Sequence, residues 1–307
     1  MTRALILTLT LLCASAAWAD DGKTPTFLLY SFDEPDGTTI RDSGPLKADG
    51  TLSTLPPTAV EDAGFTAGPA DQWQPILRNG VQLRNIKERS EHLLLDTEAP
   101  IVFDRNADYA IDYPRGRIKP LGGGRMRAEQ RVSVGLTYSN AGPARVAGRQ
   151  GRALEFNGLD AFVDCGEPDL PAAVDALTVD LWFQLPADAN GSAVLLTKGD
   201  GVSVGFDKGA LVFRHEGLKT ADGKAADATR AAEALAPAPG QWRHLTAAFA
   251  DGVVTLKLDD REVARSPKLA PQPLAFAGPL RIGGAVEPVF YKGVLDDVRI
   301  AFRGRPQ

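Results

Sequence analysis

Between Leu177 and Leu185 the chain alternates without a break. Leu177, Val179, Leu181, Phe183 and Leu185 fall to one side, and Thr178, Asp180, Trp182 and Gln184 to the other. A period of two over nine residues predicts a strand with one face in a core. Shorter runs of the same kind recur at 194–197, 202–206, 210–214, 243–249, 253–258, 280–282 and 293–301. Gly-Asp-Gly at 199–201, Asp-Lys-Gly at 207–209, Asp251-Gly252 and Asp259-Asp260 separate or follow them, each suited to a tight turn. Many short strands joined by turns predict an all-β chain: a two-sheet antiparallel β-sandwich of jelly-roll type. The 31 glycines and 22 prolines agree with a turn-rich, helix-poor fold.

Three segments fall outside this pattern. Residues 1–19 carry Arg3, an apolar run from Ala4 to Cys13, and Ala17-Trp18-Ala19 before Asp20. That order predicts a secretory signal peptide cleaved after Ala19, and hence a secreted or periplasmic protein. No later stretch approaches the ~20 apolar residues a spanning helix needs, so no membrane anchor is expected. Cleavage leaves Cys165 alone, without a disulfide partner; it reads as a small buried hydrophobe. Residues 225–235 are alanine-rich and predict a short helix stopped by Pro237 and Pro239. Residues 72–152 hold fourteen Lys and Arg against eight Asp and Glu, in a chain of net charge −5. We read 72–150 as a small basic β-rich insertion, with strands at 101–103, 109–113, 117–119 and 132–138. Its charge either attracts a polyanion, such as a sulfated or uronic-acid polysaccharide, or merely solvates the segment. The overall balance gives no case for nucleic acid.

The remaining blocks carry a resemblance. Gly151-Arg152-Ala153-Leu154-Glu155-Phe156-Asn157-Gly158 is followed by Asp160-Ala161-Phe162-Val163, Leu177 to Phe183, and Gly240-Gln241-Trp242-Arg243-His244-Leu245. Val254 to Asp260, Leu280-Arg281-Ile282-Gly283-Gly284 and Gly293 to Ile300 complete the series. In this order they resemble the laminin-G-like jelly roll of the concanavalin A-like lectin/glucanase superfamily. Leu28 to Asp33, with Gly37-Thr38 and Asp42-Ser43-Gly44, resembles that family's first strand and loop. The resemblance implies that this strand pairs with the C-terminal one. The expected division is therefore 20–71 for the first strand and loop, 72–150 for the insertion, and 151–307 for the jelly-roll body. Arg261 follows Asp260 where the family has glycine, so a different turn is expected there.

For function, the resemblance implies a site for glycans or proteins on the sandwich edge or concave face, often beside calcium. Candidate metal ligands are Asp160, Asp164, Asp296 and Asp297, since calcium takes several oxygen ligands. Candidate ligand contacts are Trp182, on the strand face away from the leucines, and Trp73 and Tyr291 in loops. For Trp182, packing competes with sugar stacking. No catalytic residue is assigned: the Glu-x-Asp-x-Glu run of the related glucanases is absent, and His92, His215 and His244 are isolated. The expected function is a non-catalytic module binding a polysaccharide or glycoprotein. A structural or adhesive protein–protein component and a carbohydrate-active enzyme with an unrecognised site are the alternatives.

Overall fold

The computed structural model describes residues 26–54, 58–95, 97, 99–138, 142–187, 191–236, 238–284 and 289–304; the predicted signal peptide lies outside them. Among these residues every regular element is a strand, and no helix is long and apolar enough to cross a membrane.

Two large antiparallel sheets form the sandwich. In the first, the strand order is Ala144–Ala147, Arg152–Asn157, Lys292–Gly304, Ala173–Gln184, Arg243–Ala250, Val253–Leu258 and Arg261–Arg265. The long last strand shares one edge between two partners. Arg152–Asn157 pairs with its beginning, and the first strand, Thr26–Tyr30, pairs with Val298–Phe302. The resemblance had implied that second pairing, and Leu28 and Tyr30 are fully buried by it. The facing sheet runs from Thr39–Ile40 and Gly50–Thr54 through Ala161–Asp164, Leu280–Ile282 and Ala193–Lys198. It continues to Val202–Asp207, Ala210–His215 and Ala228–Ala234.

The Leu177–Leu185 stripe is buried against this second sheet, with the Phe183 and Phe206 rings edge-to-face at 5.6 Å. The turns follow their residue chemistry. Asp251-Gly252 and Lys208-Gly209 have positive φ at both positions, as two-residue hairpins require. Asp259-Asp260 makes the same turn without glycine (φ 50° and 65°), which accommodates Arg261 after it. Asp259 also accepts the His244 backbone N–H at 2.9 Å.

Residues 225–235 are not helical. Ala228–Ala234 is the edge strand of the second sheet, paired with Ala210–His215, with Thr229 and Ala231 turned inward. Alanine's helical preference is only a few tenths of a kcal/mol per residue over its competitors, and a ready ladder overrides it. Cys165 is buried as expected, and burial pushes its thiol up to about 12.

The insertion has different limits from those read in the sequence. Thr58–Thr66 pairs along Arg131–Tyr138 in a sheet that also holds Leu77–Arg78, Val81–Gln82, His92–Leu95 and Ile101–Phe103. Tyr109–Asp112, Arg117–Pro120 and Gln74–Pro75 make a smaller sheet. Phe65, Leu93, Phe103, Ile118 and Val134 build a separate core, into which the sandwich contributes Leu159. By sheet membership the insertion is 58–138, and Ala144–Ala147 belongs to the sandwich. This redraws the charge. Residues 58–138 hold eleven Lys and Arg against eleven Asp and Glu. The apparent basic excess came from Arg145, Arg149 and Arg152 outside the unit, while Glu61, Asp62 and Asp71 were left out of it.

His215 is buried, and neither ring nitrogen meets a hydrogen-bond partner among the described residues. Burial lowers its pKa, with Asp227 opposing. The unfolded chain therefore takes up this proton first as pH falls through about 6.5, and the native state loses stability below that point. Thermal melts of wild type and His215→Phe between pH 8 and pH 5 should differ by an amount that moves against the wild type as pH falls; a constant difference would exclude His215 as a source of pH dependence.

Candidate functional site

A groove lies where the insertion meets one end of the sandwich. Its outer wall is the hairpin of Leu77–Arg78 and Val81–Gln82, closed by Asn79-Gly80 with φ of 49° and 77°. That is the Asn-Gly pair a type I′ hairpin selects. The opposite wall is made by the turn after Asn157, by Pro186 beyond the long central strand, and by Lys292-Gly293 at the start of the last strand. Two adjoining cavities of about 300 and 470 Å³ fill the space, both lined by Val81, Pro186 and Lys292.

The sandwich wall is fixed by a side-chain cap. Asn157 Oδ1 accepts the N–H groups of Leu159, Asp160 and Ala161 at 2.9–3.2 Å, while its amide donates to Asp160 at 2.7 Å. Gly158 takes φ +74°, and a Cβ there would stand 2.7 Å from the Lys292 Cβ. Glycine thus lets the turn lie against the lysine stem. The first cavity is lined by Leu185, Phe206 and Phe290 beside Asn79, Ser192 and Lys292. The second adds Gln82, Arg84, Glu155 and Asn157. Apolar walls with a few polar groups are the ordinary make-up of a small-molecule or oligomer site.

The sequence candidates fall in different places. Tyr291 lines the first cavity but is fully buried; its hydroxyl donates to the Gln184 carbonyl at 2.6 Å, and its ring packs on Phe156. It supports the wall, beside its neighbours Phe290 and Lys292 in the same lining. Trp182 is half-buried on the outer face of the first sheet and is flanked from both sides. His244 on the adjacent strand stacks on it at 4.8 Å and 22°, and Arg149, tied to the other adjacent strand, lies 4.4 Å from the ring centre. These contacts pack the half-buried indole against its own sheet. Trp73 stands on the insertion and is 38% exposed.

The four aspartates do not converge. Asp160 is buried in the Asn157 cap. Asp164 lies in the second sheet and accepts the Gly166 N–H at 2.9 Å. Asp296 and Asp297 lie in the first sheet at a bulge where Asp297 has φ +49°. Asp296 is fully buried and accepts the N–H groups of Arg149 and Asp297, and Asp297 pairs with the Arg149 guanidinium at 3.3 Å. Calcium takes six to eight oxygens in one shell. Aspartates split between opposite sheets do not fit it, and no group of three His, Cys, Asp or Glu converges among the described residues.

Residues 156–304 match the family model of the concanavalin A-like lectin/glucanases superfamily. No curated protein sequence matches the chain. Among solved structures, the binding domain of Paraclostridial Mosquitocidal Protein 1 is similar at 16% identity and a TM-score of 0.43, over 54% of this chain and 43% of that one. Domain 4 of AbnA, an extracellular arabinanase from Geobacillus stearothermophilus, solved with arabinotriose, is similar at 16% identity and TM-score 0.40, over 55% and 79%. An endo-β-1,4-glucuronan lyase from the fungus Trichoderma reesei follows at 12% and 0.36, over 52% and 86%. The matched family segment begins after the first strand and the insertion, and neither lies within it. By the family match, residues 156–304 belong to the concanavalin A-like lectin/glucanases superfamily, within a sandwich that also takes strands from 26–54 and 144–155.

Proposed function

We propose that the protein is an exported, non-catalytic polysaccharide-binding module whose ligand lies in the groove between the inserted hairpin and the sandwich end. The observation that carries this reading is the pair of adjoining cavities sharing Val81, Pro186 and Lys292. Together they form a mixed apolar and polar cleft on a lectin-type scaffold. Export rests on the n-region, apolar run and Ala-x-Ala site of residues 1–19. Glycoside hydrolysis generally uses two carboxyl groups across the scissile bond, and the described lining offers one, Glu155.

The test is a glycan array and affinity electrophoresis with the full chain after leader removal, with and without EDTA. We expect saturable binding, indifferent to EDTA, with no release of reducing ends. Val81→Trp, which sets a bulky ring into the wall both cavities share, should abolish binding without lowering the melting temperature. Reducing-end release would instead make the chain an enzyme. Binding that survives Val81→Trp would place the ligand elsewhere.

A further inference from the structure

Trp73 and Val102 are the exposed large hydrophobic residues among those described, and Trp73 alone has charged groups arranged around its ring. Arg117 and Lys119 stand two apart on Arg117–Pro120 and so leave one face of the small sheet, while Ile118 and Pro120 between and after them are buried. The Arg117 guanidinium lies 5.1 Å from the indole centre and the Lys119 ammonium 5.3 Å. Each cation is anchored in turn, Arg117 to Asp112 at 2.6 Å and Lys119 to Asp71 at 3.6 Å. The indole is thus held by cation–π contacts to two side chains that are themselves pinned, yet remains open to solvent. A pre-positioned aromatic loses little freedom when a ligand arrives.

The charges also constrain the ligand. Three bases here, Arg115, Arg117 and Lys119, meet two acids, Asp112 and Asp71, and the whole inserted unit is balanced at eleven against eleven. A polyanion finds at most one excess charge to follow. An uncharged sugar suits the patch: its C–H face packs on the indole, and its hydroxyls meet the exposed Asp71 carboxylate and the half-buried Lys119 beside it. The patch adjoins the groove through the hairpin. Gln82, in the groove lining, donates its amide to the Arg115 carbonyl at 2.8 Å, and the Ile76 N–H bonds to Gly116 O at 2.9 Å. Gly116 leads directly into Arg117.

We propose that Trp73 is a second saccharide subsite on the insertion, engaging the same uncharged polysaccharide that occupies the groove. This rests on the groove reading, and the experiment separates the two. Full chain would be titrated calorimetrically with xyloglucan, galactomannan and mixed-linkage β-glucan, and with polygalacturonate and heparin as anionic comparisons. The variants are Trp73→Ala, Trp73→Phe and Val81→Trp. Wild type should bind a neutral polymer more tightly than either polyanion, changing little at roughly 0.5 M NaCl because no ion pairing drives it. Trp73→Ala should weaken that binding about tenfold, the loss expected for one aromatic stacking contact, and Trp73→Phe should restore most of it. Unchanged affinity in Trp73→Ala with loss in Val81→Trp would overturn the subsite and leave the groove standing. Loss in Trp73→Ala with none in Val81→Trp would do the reverse. Preference for heparin or polygalacturonate would overturn the uncharged ligand, and failure of wild type to bind any neutral polymer would overturn both.

Discussion

A fragment beginning at residue 142 is expected not to fold, although it contains the whole segment that matches the superfamily. Removing 26–54 takes away Leu28, Tyr30, Phe32 and Ile40, all fully buried. At ~1.5–3 kcal/mol for each large apolar side chain, the loss is roughly 6–12 kcal/mol. That equals the ~5–15 kcal/mol net stability of an ordinary domain. The deletion also strips the edge of the last strand along Val298–Phe302 and leaves its backbone groups unpaired. Excising the insertion should have a far smaller effect. A Cβ on Gly142 would lie 3.5 Å from the Leu52 Cβ and 3.6 Å from the Ser53 nitrogen, so the two ends of the excision are already close. A chain joining 54 to 142 through a short Gly-Ser linker should fold cooperatively, weakened chiefly by exposing Leu159. It should also lose the groove wall that Val81 supplies. Far-UV circular dichroism and urea unfolding of the two products decide the matter; a cooperative transition in the 142–304 fragment would show that the first strand is dispensable.

The contrast between those two fragments marks what was legible in the sequence. Local alternation revealed the Leu177–Leu185 strand, because its period depends only on one face being buried. Turn chemistry likewise revealed Asp251-Gly252 and Lys208-Gly209, whose backbone the residues themselves select. The insertion's limits by sheet membership differ from those of the composition window because Thr58–Thr66 pairs with a strand some seventy residues away, and composition is blind to such pairing. The difference in charge balance follows from those limits. Trp182 was placed on the correct strand face, but its two covers come from cross-strand register and from Arg149, neither of which is local. Tyr291 lines the first cavity beside Phe290 and Lys292, but its own hydroxyl bonds to Gln184, over a hundred residues earlier. Asn79-Gly80 is a local hairpin signal in the sequence, and it marks the groove's outer wall.

Wild type and Asp296→Asn are expected to differ by an amount that changes steeply between pH 4 and pH 7. Burial is the main reason the Asp296 carboxyl is pushed up to about 6, with the nearby Asp297 charge adding to it and the Arg149 N–H opposing. In the unfolded chain the group returns to about 3.8. The native state therefore holds the proton more tightly, so this group's contribution is fully present below about pH 4 and is lost as pH rises through 6. A displacement of about two units corresponds to on the order of 2–3 kcal/mol. Asparagine carries no titrating proton, but it is not a neutral replacement. Arg149 N–H bonds to one carboxyl oxygen and Asp297 N–H to the other. An amide can accept only on its oxygen, leaving one N–H facing a donor at a cost of about 1–3 kcal/mol. The variant should thus be the weaker protein at pH 4. Its deficit should shrink or reverse by pH 8, as the wild-type carboxylate is forced to ionise in a buried place. His215 slopes the opposite way over part of the same window, and the difference between the two proteins cancels it. Urea midpoints for both across pH 4–8 measure that difference directly; a constant gap would mean that Asp296 is already ionised in the native protein at pH 4.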